Sequence, residues 1–129
     1  MNYNDFMRAL EKDDLGPVYL FVGEEEYLMT RAFAALKDKY IDESFESINF
    51  VKIDERYGDL DAVKNACETL PFMANKKLVL LKDIGRFLEN QNGNFDKEFY
   101  SYLDSLGDHL CFILMDNTLN IKKTSKIYK

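Results

Sequence analysis

The chain of 129 residues has no tryptophan, one histidine, two cysteines and two prolines. Each scarcity excludes a class of protein. Cys67 and Cys111 lie far apart beside the lone His109, so no zinc-ligand spacing exists and no disulfide framework can be drawn. The same scarcity leaves no Ser–His–Asp or Cys–His pairing for nucleophilic catalysis, and His109, just before an apolar run, reads as a surface residue. Both cysteines sit among apolar neighbours and read as small core residues of a reducing compartment. No apolar run approaches the ~18 residues that a membrane span requires. Met1-Asn2-Tyr3-Asn4-Asp5 lacks the basic and apolar regions of a signal peptide, which predicts a cytoplasmic protein. Basic residues are the minority, 17 against 23 acidic, for a net charge of −6. That excludes a domain that coats nucleic acid by itself, because phosphate binding needs a positive field.

What is present is a core. Hydrophobic residues make up 47% of the chain and aromatics 14%, and the length suits one domain at roughly 150 residues per domain. No internal repeat or low-complexity stretch occurs. The charge is uneven: residues 1–75 hold 8 basic and 16 acidic residues, and residues 76–129 hold 9 and 7. The last ten residues contain Lys122, Lys123, Lys126 and Lys129 and no acid, which reads as a solvated helix face or a weak basic contact for a polyanion.

Periodicity predicts alternating strands and helices. Asn4 is placed to cap a short helix carrying Phe6, Met7 and Leu10. Gly16-Pro17 breaks the chain, and Val18–Val22 is a short, continuous apolar run that predicts a buried strand. Glu24, Glu25 and Glu26 suit the first turn of a helix that spaces Tyr27, Leu28, Ala32, Ala35 and Leu36 on one face and runs to about Lys39. A second strand is predicted over Ile48–Ile53. A helix capped by Asp59 or Asp61 follows, with Leu60, Val63, Ala66, Cys67 and Leu70 inward, ended by Pro71. Lys77–Lys82 predicts a third strand. Asn94 then caps a helix carrying Phe95, Phe99, Tyr102, Leu103 and Leu106 and closed by Gly107, and Leu110–Met115 predicts a fourth strand. Lys122–Lys129 begins a helix that would continue into a further domain. Continuously apolar strands alternating with helices predict a three-layer α/β domain, a parallel sheet with helices on both faces.

In such sheets ligands bind beyond the carboxyl ends of the strands. The turn after the first strand nearly fits a phosphate-binding loop, G-x-x-x-x-G-K-[ST], but departs at the positions that matter. Gly23 and Thr30 match, whereas Leu28 replaces the second glycine and Met29 the lysine, and three glutamates would face the phosphates. A phosphate-receiving signalling domain that holds Mg²⁺ or phosphate is the alternative, with Glu24, Glu25, Asp83, Thr118 and Lys122 in the required roles. The most informative stretch is Thr69-Leu70-Pro71-Phe72-Met73-Ala74-Asn75-Lys76-Lys77. A helix-to-strand connection is usually small and polar, yet this one carries Leu70, Phe72 and Met73 beside a helix-ending proline. These side chains either plug the end of the sheet or form a protruding apolar wedge rimmed by Lys76 and Lys77.

Pro17-Val18-Tyr19-Leu20-Phe21-Val22-Gly23-Glu24-Glu25-Glu26-Tyr27-Leu28 resembles the opening strand and turn of the bacterial DNA polymerase III delta subunit family. Thr69–Leu81 resembles that family's leucine–proline–phenylalanine segment with its basic pair and apolar strand, and Ser125–Lys129 resembles its link toward the next domain. The resemblance covers about residues 5–129. It implies a P-loop NTPase/AAA+-like first domain over residues 1–121, with Gly23, Leu28, Met29 and Thr30 as a degenerate loop that binds no nucleotide. Residues 122–129 would then begin the link to a lid domain. It also implies a clamp-loader subunit that binds and opens the sliding clamp (the beta subunit) for loading onto primed DNA, alongside sister subunits that bind ATP. The implied wedge is Phe72 and Met73, positioned by Leu70 and Pro71. Lys122, Lys123 and Lys126 are the implied DNA or partner contacts. No catalytic residue, metal, cofactor or membrane contact is implied for this chain, although the holoenzyme it would serve is a DNA-directed DNA polymerase, a nucleotidyltransferase.

Overall fold

The computed structural model describes residues 3–22, 26–53, 59–89 and 95–116. Its elements alternate as the apolar periodicity requires. They are α1 (Tyr3–Glu11), β1 (Val18–Val22), α2 (Glu26–Tyr40), a 3₁₀ turn (Glu43–Phe45), α3 (Glu46–Asn49), β2 (Phe50–Ile53), α4 (Leu60–Glu68), β3 (Lys77–Leu81), α5 (Ile84–Glu89), α6 (Phe95–Leu103) and β4 (Leu110–Asp116).

The four strands form one parallel sheet in the order β1-β4-β3-β2. Because side chains alternate across a strand, each strand feeds two cores. Val18 and Leu20, Val79 and Leu81, and Leu110, Phe112 and Leu114 face one way, packing with Val63, Cys67, Phe87 and Phe99 of α4, α5 and α6. Tyr19, Leu78 and Leu80, and Cys111, Ile113 and Met115 face the other way, packing with Phe6 and Leu10 of α1 and Ala32 and Leu36 of α2. The three-layer α/β arrangement expected from the sequence is therefore the one observed. Every residue of β3 and β4 is buried, which explains why those segments carry no alternation of polar and apolar residues. Cys67 and Cys111 are buried free thiols. Burial pushes the pKa of each up to about 12, so neither is a nucleophile near neutral pH.

Several boundaries differ from the expectations. Asn4 lies inside α1, not at its cap, because the helix starts at Tyr3, whose ring packs on the second core. Tyr27 is exposed, its ring under the Arg31 guanidinium 5.6 Å from the centroid, and the buried stripe of α2 runs through Ala32 and Leu36. Ile48 and Asn49 belong to the helical turn α3, so β2 begins only at Phe50. The helix α4 is capped by Asp59, whose side chain accepts from Ala62 N at 2.8 Å, and it ends at Glu68, leaving Leu70 outside its inner face. The helix α6 stops at Leu103, well before Gly107. Sequence reasoning missed α5, a short six-residue helix holding Ile84 and Phe87 in the core. Asn94 and the run Lys122–Lys129 fall outside the described residues.

Candidate functional site

The segment between α4 and β3 is tied down at both ends and bare in the middle. At its start, Thr69 Oγ1 donates to Asn65 O at 2.8 Å and closes the helix. At its end, Lys77 N donates to His109 O at 2.8 Å as β3 begins beside β4. Between these anchors Leu70 is 68% exposed, Phe72 46% and Met73 76%, with Pro71 half-buried. Of the two possibilities left open by the sequence, a plug or a projection, the structure has the projection. Three large apolar side chains facing water in one four-residue stretch form the kind of patch that marks an interaction site.

The tip has a built conformation. Met73 adopts φ 53°, the left-handed region that a β-carbon disfavours by roughly 1–2 kcal/mol. Phe72 packs edge-on against Phe45, with ring centroids 5.2 Å apart at 77°. Its backbone is held on both sides by Asn49. Phe72 N donates to Asn49 Oδ1 at 2.7 Å, and Asn49 Nδ2 donates to Phe72 O at 2.8 Å. A groove of about 420 Å³ lies beside the tip, bordered by Asp38, Tyr40 and Asp42 at the end of α2 and by Met73 and Asn75.

Lys76 and Lys77 do not rim the tip as expected, because both are buried. Lys76 Nζ donates to Asp108 O at 2.8 Å and lies 5.8 Å from the centroid of the Tyr40 ring. Lys77 is the first residue of β3, and desolvation lowers its pKa, with Cys67 acting weakly in the opposite sense. Long aliphatic stems let lysines cover apolar surface, which a reading of charge alone overlooks. His109 is also half-buried. Its Nε2 lies 3.1 Å from Cys67 O, a carbonyl that only accepts, so the ring donates there and ties β4 to α4.

The carboxyl ends of the strands look different. A small cavity of about 300 Å³ is lined by Met29, Thr30 and Phe33 of α2 with Leu80, Lys82, Asp83 and Met115. Leu28 and Met29 are half-buried helix residues, Thr30 is exposed, and Gly23 falls outside the described residues. Of the residues cast for a phosphate receiver, Asp83 is half-buried at this cavity with φ 52°, while Glu24, Glu25, Thr118 and Lys122 fall outside the described residues. Among the described residues, no group of three or more histidine, cysteine, aspartate or glutamate side chains is placed to hold a metal ion. No helix among them is long and apolar enough to cross a membrane.

Fold and site together define a class: a parallel three-layer α/β domain whose clearest feature is an apolar tip at the amino end of its sheet. The sequence profile of the DNA polymerase III delta subunit matches residues 19–129, and the chain belongs to that family of clamp-loader subunits of DNA replication. It is 24% identical over 129 residues to the DNA polymerase III subunit delta of Bacillus subtilis (strain 168), covering 97% of this chain and 37% of that protein. The solved Bacillus subtilis DNA clamp loader delta protein matches with a TM-score of 0.77 at 25% identity, over 95% of this chain and 38% of that one. The chain therefore spans just over a third of the length of these relatives. The family resemblance read from the residues is the one the comparisons return.

Proposed function

We propose that this domain docks on the sliding clamp through Leu70, Pro71, Phe72 and Met73 and biases the ring toward its open form without hydrolysing ATP. The exposure of three apolar side chains on a loop anchored at both ends carries this reading. Burying Phe72 and Met73 in a partner's pocket would contribute roughly 1.5–3 kcal/mol each. A tip that binds the open ring better than the closed one shifts the ring equilibrium by no more than its differential affinity. The sequence that follows β1 supports the ATP-free part, since Leu28 and Met29 stand where a phosphate-binding motif has glycine and lysine. On this reading residues 1–121 form an AAA+-like clamp-binding domain and 122–129 lead toward a lid domain. Lys122, Lys123 and Lys126 contact primed DNA or sister subunits in the assembled loader, and no catalytic residue is required of this chain.

The test is a calorimetric titration of the full-length protein against the sliding clamp of the same organism. Phe72→Ala with Met73→Ala should weaken binding by ~2 kcal/mol, about 30-fold, while leaving the fold intact. Equal affinity for the variant and the parent sinks the proposal.

A further inference from the structure

The geometry points to Asn49 as the positioning residue of the tip: it touches no partner, but it sets the conformation in which Phe72 is offered. This rests on the clamp-docking reading above and adds to it the residue that pre-organises the contact.

Asn49 is fully buried at the last position of α3, immediately before β2. Since β2 and β3 are neighbours, with Phe50 opposite Leu78, the ends of α3 and of the tip segment are brought side by side at one edge of the sheet. There the Asn49 amide meets the main chain of Phe72 as a second peptide group would, giving one bond in each direction. Only one orientation of the amide works, with Oδ1 toward the N–H and Nδ2 toward the carbonyl. An apolar residue of the same size would leave a part-buried N–H and C=O unpaired, and a carboxylate would satisfy only the N–H. The next residue, Met73, sits in a disfavoured backbone region that persists only where its surroundings over-determine it. The paired bonds to Phe72 and the Phe45 ring against the Phe72 ring are the restraints that do so. An unpinned tip would still expose its side chains, but it would visit the docking arrangement only part of the time. If that fraction falls to about a tenth, apparent affinity falls about tenfold, with no contact to the partner removed.

Two measurements test this. In the full-length protein, hydrogen exchange should show the Phe72 amide protected at least ~10-fold more than the Met73 amide, because its acceptor is buried. Equal protection overturns the inference even if no Asn49 variant folds. Titration against the sliding clamp should then give about a tenfold loss for Asn49→Ala in the parent and no further loss once Phe72 and Met73 are both alanine, since the tip then has no anchors left to present. Losses of equal size in both backgrounds overturn it, because that is what general destabilisation gives. Should Phe72→Ala with Met73→Ala leave clamp affinity unchanged, the docking reading fails, while the exchange result still decides whether Asn49 fixes the tip.

Discussion

The two ends of the sheet are built on opposite principles. At the carboxyl end, where α/β sheets commonly take their ligands, this domain has a small cavity walled by Met29, Phe33, Leu80 and Met115. At the amino end, where such sheets usually turn back with short polar loops, it carries an exposed leucine, phenylalanine and methionine on a loop held by Thr69, Asn49 and the start of β3. The difference teaches that the two edges of one layered fold can differ sharply in exposed apolar surface, because they are served by different connections of the same strands.

Substitutions at each end sharpen or break that contrast. The largest expected effect is the tip double variant, Phe72→Ala with Met73→Ala. It should weaken clamp binding by ~2 kcal/mol with little change in melting temperature, since exposed side chains contribute little to the core. A collapse of thermal stability in that variant would show that the tip is structural after all. Next is Asp59→Ala, which removes the N-cap of α4, the helix leading into the tip. It should cost about 1 kcal/mol in chemical denaturation and leave affinity for the clamp nearly unchanged. A loss of affinity as large as that of the tip variant would place the docking surface on α4 instead.

A smaller effect is expected at low pH. The Tyr40 hydroxyl donates to the Asp13 carboxylate, joining the end of α2 to the turn after α1. This bond, aided by Lys39 and Lys76 against some desolvation, holds the Asp13 carboxyl below its ordinary value of 3.8. A depressed carboxyl stabilises the fold above that value, and the contribution disappears as the pH falls through the folded pKa. Tyr40→Phe should therefore lower stability at pH 7 and converge on the parent as the pH falls well below 3.8, which flattens the acid limb. An unchanged acid limb would show that Asp13 is not held by Tyr40. The smallest expected effect is none: saturating ATP with Mg²⁺ should not raise the melting temperature. Stabilisation approaching the ~2.7 kcal/mol expected of a ligand at 100 times its dissociation constant would restore the carboxyl end as a binding site.

Much of this was legible in the residues. Continuous apolar runs as short as Leu110–Met115 read as strands buried on both faces, so the three layers followed from them. The tip was legible because Leu70, Phe72 and Met73 are anomalous in a connection beside a proline. Asn49 was not. Ile48-Asn49-Phe50-Val51-Lys52-Ile53 reads as an uneven strand, and the amide acquires its meaning only when Phe72, distant in sequence, is brought against it. The lysines at 76 and 77 misled because charge suggests exposure, whereas both are buried, the Lys76 ammonium near the Tyr40 ring and Lys77 at the start of the sheet. The short helix α5 escaped because six residues that include Gly85 give too short a window for helical periodicity.

The strand order has a consequence for how the molecule comes into being. Val18 lies opposite Phe112, and β4, the last of the described strands, enters between β1 and β3. A ribosome must therefore release the chain through β4 before the middle of the sheet can close, and until then β1 and β3 each wait with an open flank. Pairings this distant in sequence form slowly and leave sticky edges bare meanwhile. A chain stalled short of residue 110 would thus be a target for chaperones rather than a smaller version of the same sheet.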